Sequence, residues 1–298
     1  MPDFTLTNAF IKTYSDNIRL LTQQMVNQFR DKVIIHNIVG QKYYVDYVGT
    51  SKPKKRAGST APTAHSTMAH SRRRIMSDTF DDSKLVDRND IMRMGTDPTN
   101  PYMQAMKAGY ERLMDEILMT AALGTAISVS GSADGSNDES ETNVTFPSTQ
   151  IVSESGTIGG TAQKLKDTLL KFNVNDVPQD EKKFLAFSPY FLNDLLSEPD
   201  MSLADREALN IIRTGSIKEA FGFTCLMTNR LPAAVANIRS AVAWTRAGLT
   251  LGITEEVLSR VTEESQFNFA IQLWMSMDLG ATRMEEKLVV AVQSYENP

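Results

Sequence analysis

With 298 residues and 41% hydrophobic side chains, the chain can bury a core of two subdomains or one large domain, which excludes a disordered protein. A formal net charge of -5 argues against general nucleic-acid binding, which draws on phosphate neutralisation. No apolar run approaches the ~20 residues that cross a bilayer, MPDFTLTNAF lacks the basic-then-apolar order of a signal peptide, and the one cysteine, Cys225, can form no internal disulfide. A soluble, intracellularly made protein with a buried spectator thiol and no membrane partner is expected.

In residues 16–33, Ile18, Leu21, Met25, Val26 and Phe29 recur at helical spacing, which predicts a short helix behind a loose polar arm. Residues 41–48, QKYYVDYV, set Tyr43, Val45 and Tyr47 against Tyr44 and Asp46, a strand pattern. Residues 51–77 then carry Lys52, Lys54, Lys55, Arg56, Arg72, Arg73 and Arg74 with no acidic residue, amid small and polar side chains that build no core. So long an excursion marks a functional or partner-contacting loop. A nucleic-acid patch is one reading, although no aromatics interleave to stack bases, and a solvated mobile loop is another. A loop lying across a neighbouring subunit's acidic surface, with arginine forks on carboxylates, is the preferred one. Asp78, Asp81, Asp82, Asp87 and Asp90 restore the charge balance downstream.

Residues 100–124, NPYMQAMKAGYERLMDEILMTAALG, organise the rest. Asn100 is a candidate N-cap, Pro101 suits the first helical position, and Gly124 is a candidate C′ residue. Tyr102, Met106, Tyr110, Leu113, Met114, Ile117 and Ala121 share one arc at 100° per residue, so Tyr102, Met106, Tyr110, Leu113 and Ile117 are the expected core of a spine helix. Gln104, Glu111, Arg112, Asp115 and Glu116 take the other side. Some 22 residues at 1.5 Å each reach roughly 33 Å.

Residues 128–142 read as a polar loop with a turn at Asp134-Gly135, and the faint calcium-loop pattern fails at Glu139, where glycine is needed. Residues 144–152 read as a short strand interrupted by Pro147. GTIGGTAQK, at residues 156–164, meets neither phosphate-loop nor dinucleotide spacing and reads as a turn into a helix over residues 161–172. A strand at residues 183–187, a helix capped by Ser188 with Pro189 at its first position, a capping-box helix from Ser202 and Asp205, and strands at 221–228 and 241–244 follow. Together, residues 161–261 have the make-up of an α/β lobe. Residues 267–279 keep an unbroken period of two, with Phe267, Phe269, Ile271, Leu273, Met275, Met277 and Leu279 on one face, and predict a strand of roughly 40 Å. Residues 288–292 are expected to supply its partner.

Catalytic chemistry is missing from the sequence. His36, His65 and His70 lack metal-pair spacing, no G-x-S-x-G occurs, and the paired acids Glu255/Glu256, Glu263/Glu264 and Glu285/Glu286 point to opposite sides of a strand. Glu111 and Asp115 share the charged face of the spine helix, which reads as a solvated or subunit-facing surface. No enzyme, catalytic residue, metal site or cofactor is expected.

Residues 97–126, DPTNPYMQAMKAGYERLMDEILMTAALGTA, resemble the spine-helix region of tailed-phage major capsid proteins. FLAFSPYFLNDLL, then GSIKEAFGFTCLMTNRLP at residues 215–232 and MDLGATRMEEKLVVA at 277–291, resemble the same family in the same order. The resemblance implies the α+β fold of the Hong Kong 97 type. Its parts would be an N-terminal arm (1–38), an extended β-hairpin loop (39–94), a peripheral domain with spine helix and long strands (95–160 and 262–298), and an α/β axial domain (161–261). It implies a shell of hexamers and pentamers around double-stranded DNA, without sequence-specific binding, assembled in the bacterial cytoplasm. Portal, scaffolding and decoration proteins are the implied partners. Lys52, Lys54, Lys55, Arg56, Arg72, Arg73 and Arg74 are the expected intersubunit contacts. No lysine, asparagine and acid trio for covalent cross-linking is recognisable, and no N-terminal segment of the size and composition of a fused scaffold is expected. The competing classes are an encapsulating nanocompartment of the same fold and a nucleic-acid-binding module acting through the basic loop.

Overall fold

The computed structural model describes residues 23–24, 26–55, 58, 65, 68, 70–87, 99–130, 140–153, 158–197, 219–232 and 235–296. In chain order these form β1 (Ile34–Asn37), β2 (Lys42–Val48), β3 (His70–Met76), β4 (Asp78–Val86), α1 (Thr99–Leu123), β5 (Ala126–Ser130), β6 (Ser140–Val144), β7 (Ile151–Val152), α2 (Ala162–Val174), β8 (Lys183–Phe187) and α3 (Pro189–Ser197). The chain continues through β9 (Glu219–Ala220), β10 (Phe223–Met227), β11 (Ile238–Thr245), β12 (Leu249–Glu264), β13 (Ala270–Arg283) and β14 (Val289–Tyr295). Residues 16–22 and 25 of the expected arm helix, residues 131–139 of the polar loop, and the helix from Ser202 lie outside the described residues. Of the remainder of the arm helix, only Arg30–Lys32 turn, as a 3-10 helix.

The first sheet has the order β1-β12-β13-β4, and α1 lies on it. The period of two along β13 sends Leu273, Met275, Met277 and Leu279 into one core with Met106, Tyr110, Met114 and Leu118 of the helix. The Tyr110 hydroxyl donates to the Met275 carbonyl at 2.7 Å, which satisfies the buried phenol. β13 starts later than its alternation suggests, because Asn268 and Phe269 adopt left-handed conformations (φ 54 and 58) that turn the chain back from β12. The long partner β12 escapes sequence reading for a related reason. Register shifts between Ile253 and Glu255, and again between Glu255 and Leu258, break its phase so that no steady alternation survives.

The expectation that residues 288–292 pair with β13 is corrected. β14 runs instead between β7 and β11 in a second sheet of order β7-β14-β11-β8-β10-β9. Val289, Val290, Ala291 and Val292 are all buried, so this strand needs cover on both faces and cannot serve in a one-sided position. Leu165 and Phe172 of α2 and Phe191 and Leu195 of α3 join Leu185, Phe223, Val290 and Val292 in the core of this unit. Its helices start as the sequence predicts, with Thr161 accepting from Lys164 N at 3.3 Å and Ser188 from Phe191 N at 3.2 Å. Gly160 is required by close approach: a Cβ there would stand 2.6 Å from the Phe191 carbonyl oxygen.

The third sheet, β2-β3-β5-β6, carries the hairpin expected from the resemblance. The strand β3 follows from none of the composition of residues 51–77. Helix α1 begins at Thr99, one residue before the expected cap, and Gly124 is not left-handed; its N–H continues the helical bonding to Thr120 O at 2.8 Å.

Candidate intersubunit interface

The hairpin is fixed at its root. Gly252 of β12 and Gly280 of β13 lie directly opposite each other, and a Cβ on Gly280 would stand 1.8 Å from the Met76 carbonyl oxygen, one on Gly252 2.1 Å from Ile38 Cδ1. The missing side chain of Gly280 lets the β3–β4 junction cross the sheet this closely, and that of Gly252 leaves room for the Ile38 side chain. Ser77 N donates to Gln41 O at 3.0 Å, and Thr254 Oγ1 and Ser77 Oγ are 2.9 Å apart.

The seven expected contact residues divide. Lys52, Lys54 and Lys55 are exposed beyond the end of β2, and Arg56 lies outside the described residues. Arg72, Arg73 and Arg74 are engaged within their own chain. Arg72 pairs with Asp46 across the β2–β3 ladder, and Arg74 pairs with Glu141 of β6. Arg73 points to the opposite face, where it is 3% exposed, donates to the Met284 carbonyl at 3.0 Å and pairs with Glu286. Those three acidic partners are 26 to 213 positions away, so the sequence gives no sign of them.

Glu286 also faces Arg283, which is fully buried. Arg283 was singled out by no sequence motif, yet its guanidinium donates to Ala122 O at 2.9 Å, Gly124 O at 2.8 Å and Val144 O at 3.2 Å. It thus satisfies carbonyls at the C-terminus of α1, where a cation also suits the helix dipole. Burial and the Arg73 charge pull its pKa below the usual guanidinium range against the opposing pull of Glu286. One chain of contacts therefore joins β3 to the end of the spine helix.

The other side of α1 corrects the reading of Asp115 as solvated or subunit-facing. Asp115 is 0% exposed, covered by the root of the arm. Its carboxylate accepts from Gln24 Nε2 at 2.6 Å, Gln28 N at 3.2 Å and Phe29 N at 3.3 Å, and Arg112 donates to Gln23 Oε1 at 2.8 Å. Burial pushes the carboxyl up to about 6, in spite of these bonds. Phe29 then packs edge-on to Trp244 of β11, whose indole N–H donates to Lys32 O at 3.1 Å. Among the expected helix-core residues, Met106 and Tyr110 are buried, while Tyr102, Leu113 and Ile117 are half-buried at the margin of the same core. Leu113 and Ile117 line an open cleft with Phe80 and Ile127.

Among the described residues, no group of three His, Cys, Asp or Glu side chains could hold a metal ion, and no helix is long and apolar enough to cross a membrane. Cys225 is buried, with its thiol pushed up to about 12 by burial. A long helix on a long-stranded sheet, an α/β unit with its own core and the β2–β3 hairpin make up a fold of the Hong Kong 97 type.

The chain belongs to the phage capsid protein family, whose model matches residues 6–296. It is a major capsid protein, a structural component of the bacteriophage virion. Among solved structures it is similar to the capsid of cyanophage P-SCSP1u, at 14% identity and a TM-score of 0.72 over 97% of this chain and 94% of that one. The capsid of Ralstonia phage GP4 is similar at 9% identity and a TM-score of 0.72, over 100% and 98% of the two chains. The cyanophage Pam1 capsid follows at 13% identity and 0.71, over 99% of each. None of the curated proteins matches the sequence.

Proposed function

We propose that this chain self-assembles into hexamers and pentamers of a closed icosahedral head, formed in the bacterial cytoplasm around double-stranded DNA, with no catalytic role. The observation that carries this reading is the clamped hairpin with an exposed basic end. A hairpin end bearing the exposed Lys52, Lys54 and Lys55 suits a contact with another subunit, since the carboxylates that the hairpin meets in its own chain, Asp46, Glu286 and Glu141, are paired with Arg72, Arg73 and Arg74. Many such contacts, each modest, gain strength through symmetry.

In this reading residues 1–38 act as the arm and 39–94 as the extended loop, except for β1 and β4, which lie within those ranges but belong to the first sheet. The peripheral unit is α1 with the first sheet, and the axial unit is α2 and α3 with the second sheet, which takes β14 from the chain's end. Scaffolding, portal and decoration proteins are the further partners. Sedimentation velocity of the purified chain at low and high salt tests the proposal. Wild type sediments as large particles, and Lys52, Lys54 and Lys55 changed together to Ala need a higher protein concentration to do so. Equal assembly of both at every salt concentration removes the loop's role; a wild type that never leaves the monomer removes the shell.

A further inference from the structure

Each of the three sheets leaves two edges, and these edges are unequal. Among the described residues, β7 and β9 are two residues long, β1 four and β6 five, while β2 has seven and β4 nine. A long strand paired on one side presents a row of unpaired amides and carbonyls, which proteins commonly shorten, bulge or guard with charge. The strand β2, KYYVDYV, has an unbroken register against β3, no proline and a run of aromatic and β-branched residues that favours sheet pairing. Such an edge is suited to accept another strand.

The charge around the two long edges is complementary. β2 leads into the exposed Lys52, Lys54 and Lys55, none of which forms an ion pair among the described residues. β4 begins with the exposed Asp78 and Asp81, and its Asp82 is paired only with Lys84 on the same strand. An antiparallel approach sets the lysine end of one strand beside the aspartate end of the other; a parallel approach separates them. The two edges belong to different sheets of one copy, so each copy can offer β2 to one neighbour and β4 to the next. That arrangement is heterologous, the head-to-tail kind of contact from which rings of subunits are built when the rotation between copies closes.

We infer that the free edge of β2 pairs antiparallel with the free edge of β4 in a second copy of this chain, joining the hairpin sheet of one subunit to the long-stranded sheet of the next. The inference rests on the shell reading and names the surface that receives the hairpin. Backbone bonds hold the two strands, and the Lys52, Lys54 and Lys55 group against Asp78 and Asp81 sets their direction.

Charge reversal tests it. One variant carries Lys52→Glu, Lys54→Glu and Lys55→Glu, a second carries Asp78→Lys and Asp81→Lys, and a third combines all five. All these positions are exposed, and circular dichroism checks that each subunit folds. Particle yield is expected to fall roughly tenfold or more in either partial variant, because like charges meet, and to recover in the combined one. Hydrogen exchange on wild type is the second readout: β2 and β4 amides slow in the particle relative to the dilute subunit. No recovery in the combined variant, or exchange at β2 and β4 as fast in the particle as in the free subunit, overturns the inference. A wild type that forms no particle overturns the inference and the shell reading together, whereas particles with unprotected edges overturn the inference alone.

Discussion

The carboxylate of Asp115 accepts a hydrogen bond from the backbone N–H of Phe29 at 3.3 Å, across a sequence separation of 86. It converts the polar side of the spine helix into the seat of the arm's root, and so ties Gln24, Gln28 and Phe29 to the longest helix among the described residues.

Stability should therefore depend on pH through Asp115. Its folded pKa of about 6 stands above the ordinary value of 3.8, so between them the folded chain keeps a proton that the unfolded chain has released. The contribution is fully present below about pH 4 and is lost as pH rises through about 6. Urea midpoints of the dilute subunit and of Asp115→Asn, compared from pH 4 to 7, should show the wild-type advantage shrinking across that window. Two parallel curves would contradict the assignment.

Arg283→Met should cost about 3 to 5 kcal/mol, since a methionine of similar length fills the space but leaves the carbonyls of Ala122, Gly124 and Val144 without their donor. Chemical denaturation reads this directly. A loss below about 1 kcal/mol would mean that water replaces the guanidinium there.

Two glycines should respond in opposite directions. Gly280→Ala drives a Cβ into the Met76 carbonyl oxygen and displaces the hairpin root, with a lowered melting temperature and weaker assembly. Gly109→Ala sits inside α1, where the nearest atom is the Arg112 guanidinium at 3.8 Å, and should stabilise by about 0.5 to 1 kcal/mol. Thermal melts of both variants check the pair, and destabilisation by Gly109→Ala would contradict the packing described for the helix.

Tyr110→Phe removes the hydroxyl that bridges the Met275 and Phe80 carbonyls and should cost about 1 to 2 kcal/mol. An unchanged urea midpoint would show that the hydroxyl's bonds to the sheet are worth nothing net.

The sequence exposes elements whose periodicity is local and intact. α1 and β13 repeat without interruption, and Thr161 and Ser188 mark helix starts by chemistry carried within four residues. β12 is hidden by its bulges, and β14 by burial on both faces, which erases alternation. The candidate interface divides along the same line. The exposed lysines are visible as a run without acidic neighbours, but the partners that engage Arg73 in the interior and Arg74 at the surface, Glu286 and Glu141, are brought near only by the completed fold. Asp115 illustrates the converse error. An acidic residue on a charged helix face reads as solvated unless the residues that cover it, Gln24, Gln28 and Phe29, are known to return there.

The most direct test of the central claim is imaging of the purified recombinant chain by negative-stain electron microscopy, with particle mass measured by light scattering after size exclusion. The account predicts closed polyhedral particles of uniform diameter whose mass is a large multiple of 33.1 kDa. A chain that stays at the mass of one subunit with added salt, crowding agent and scaffold would contradict it.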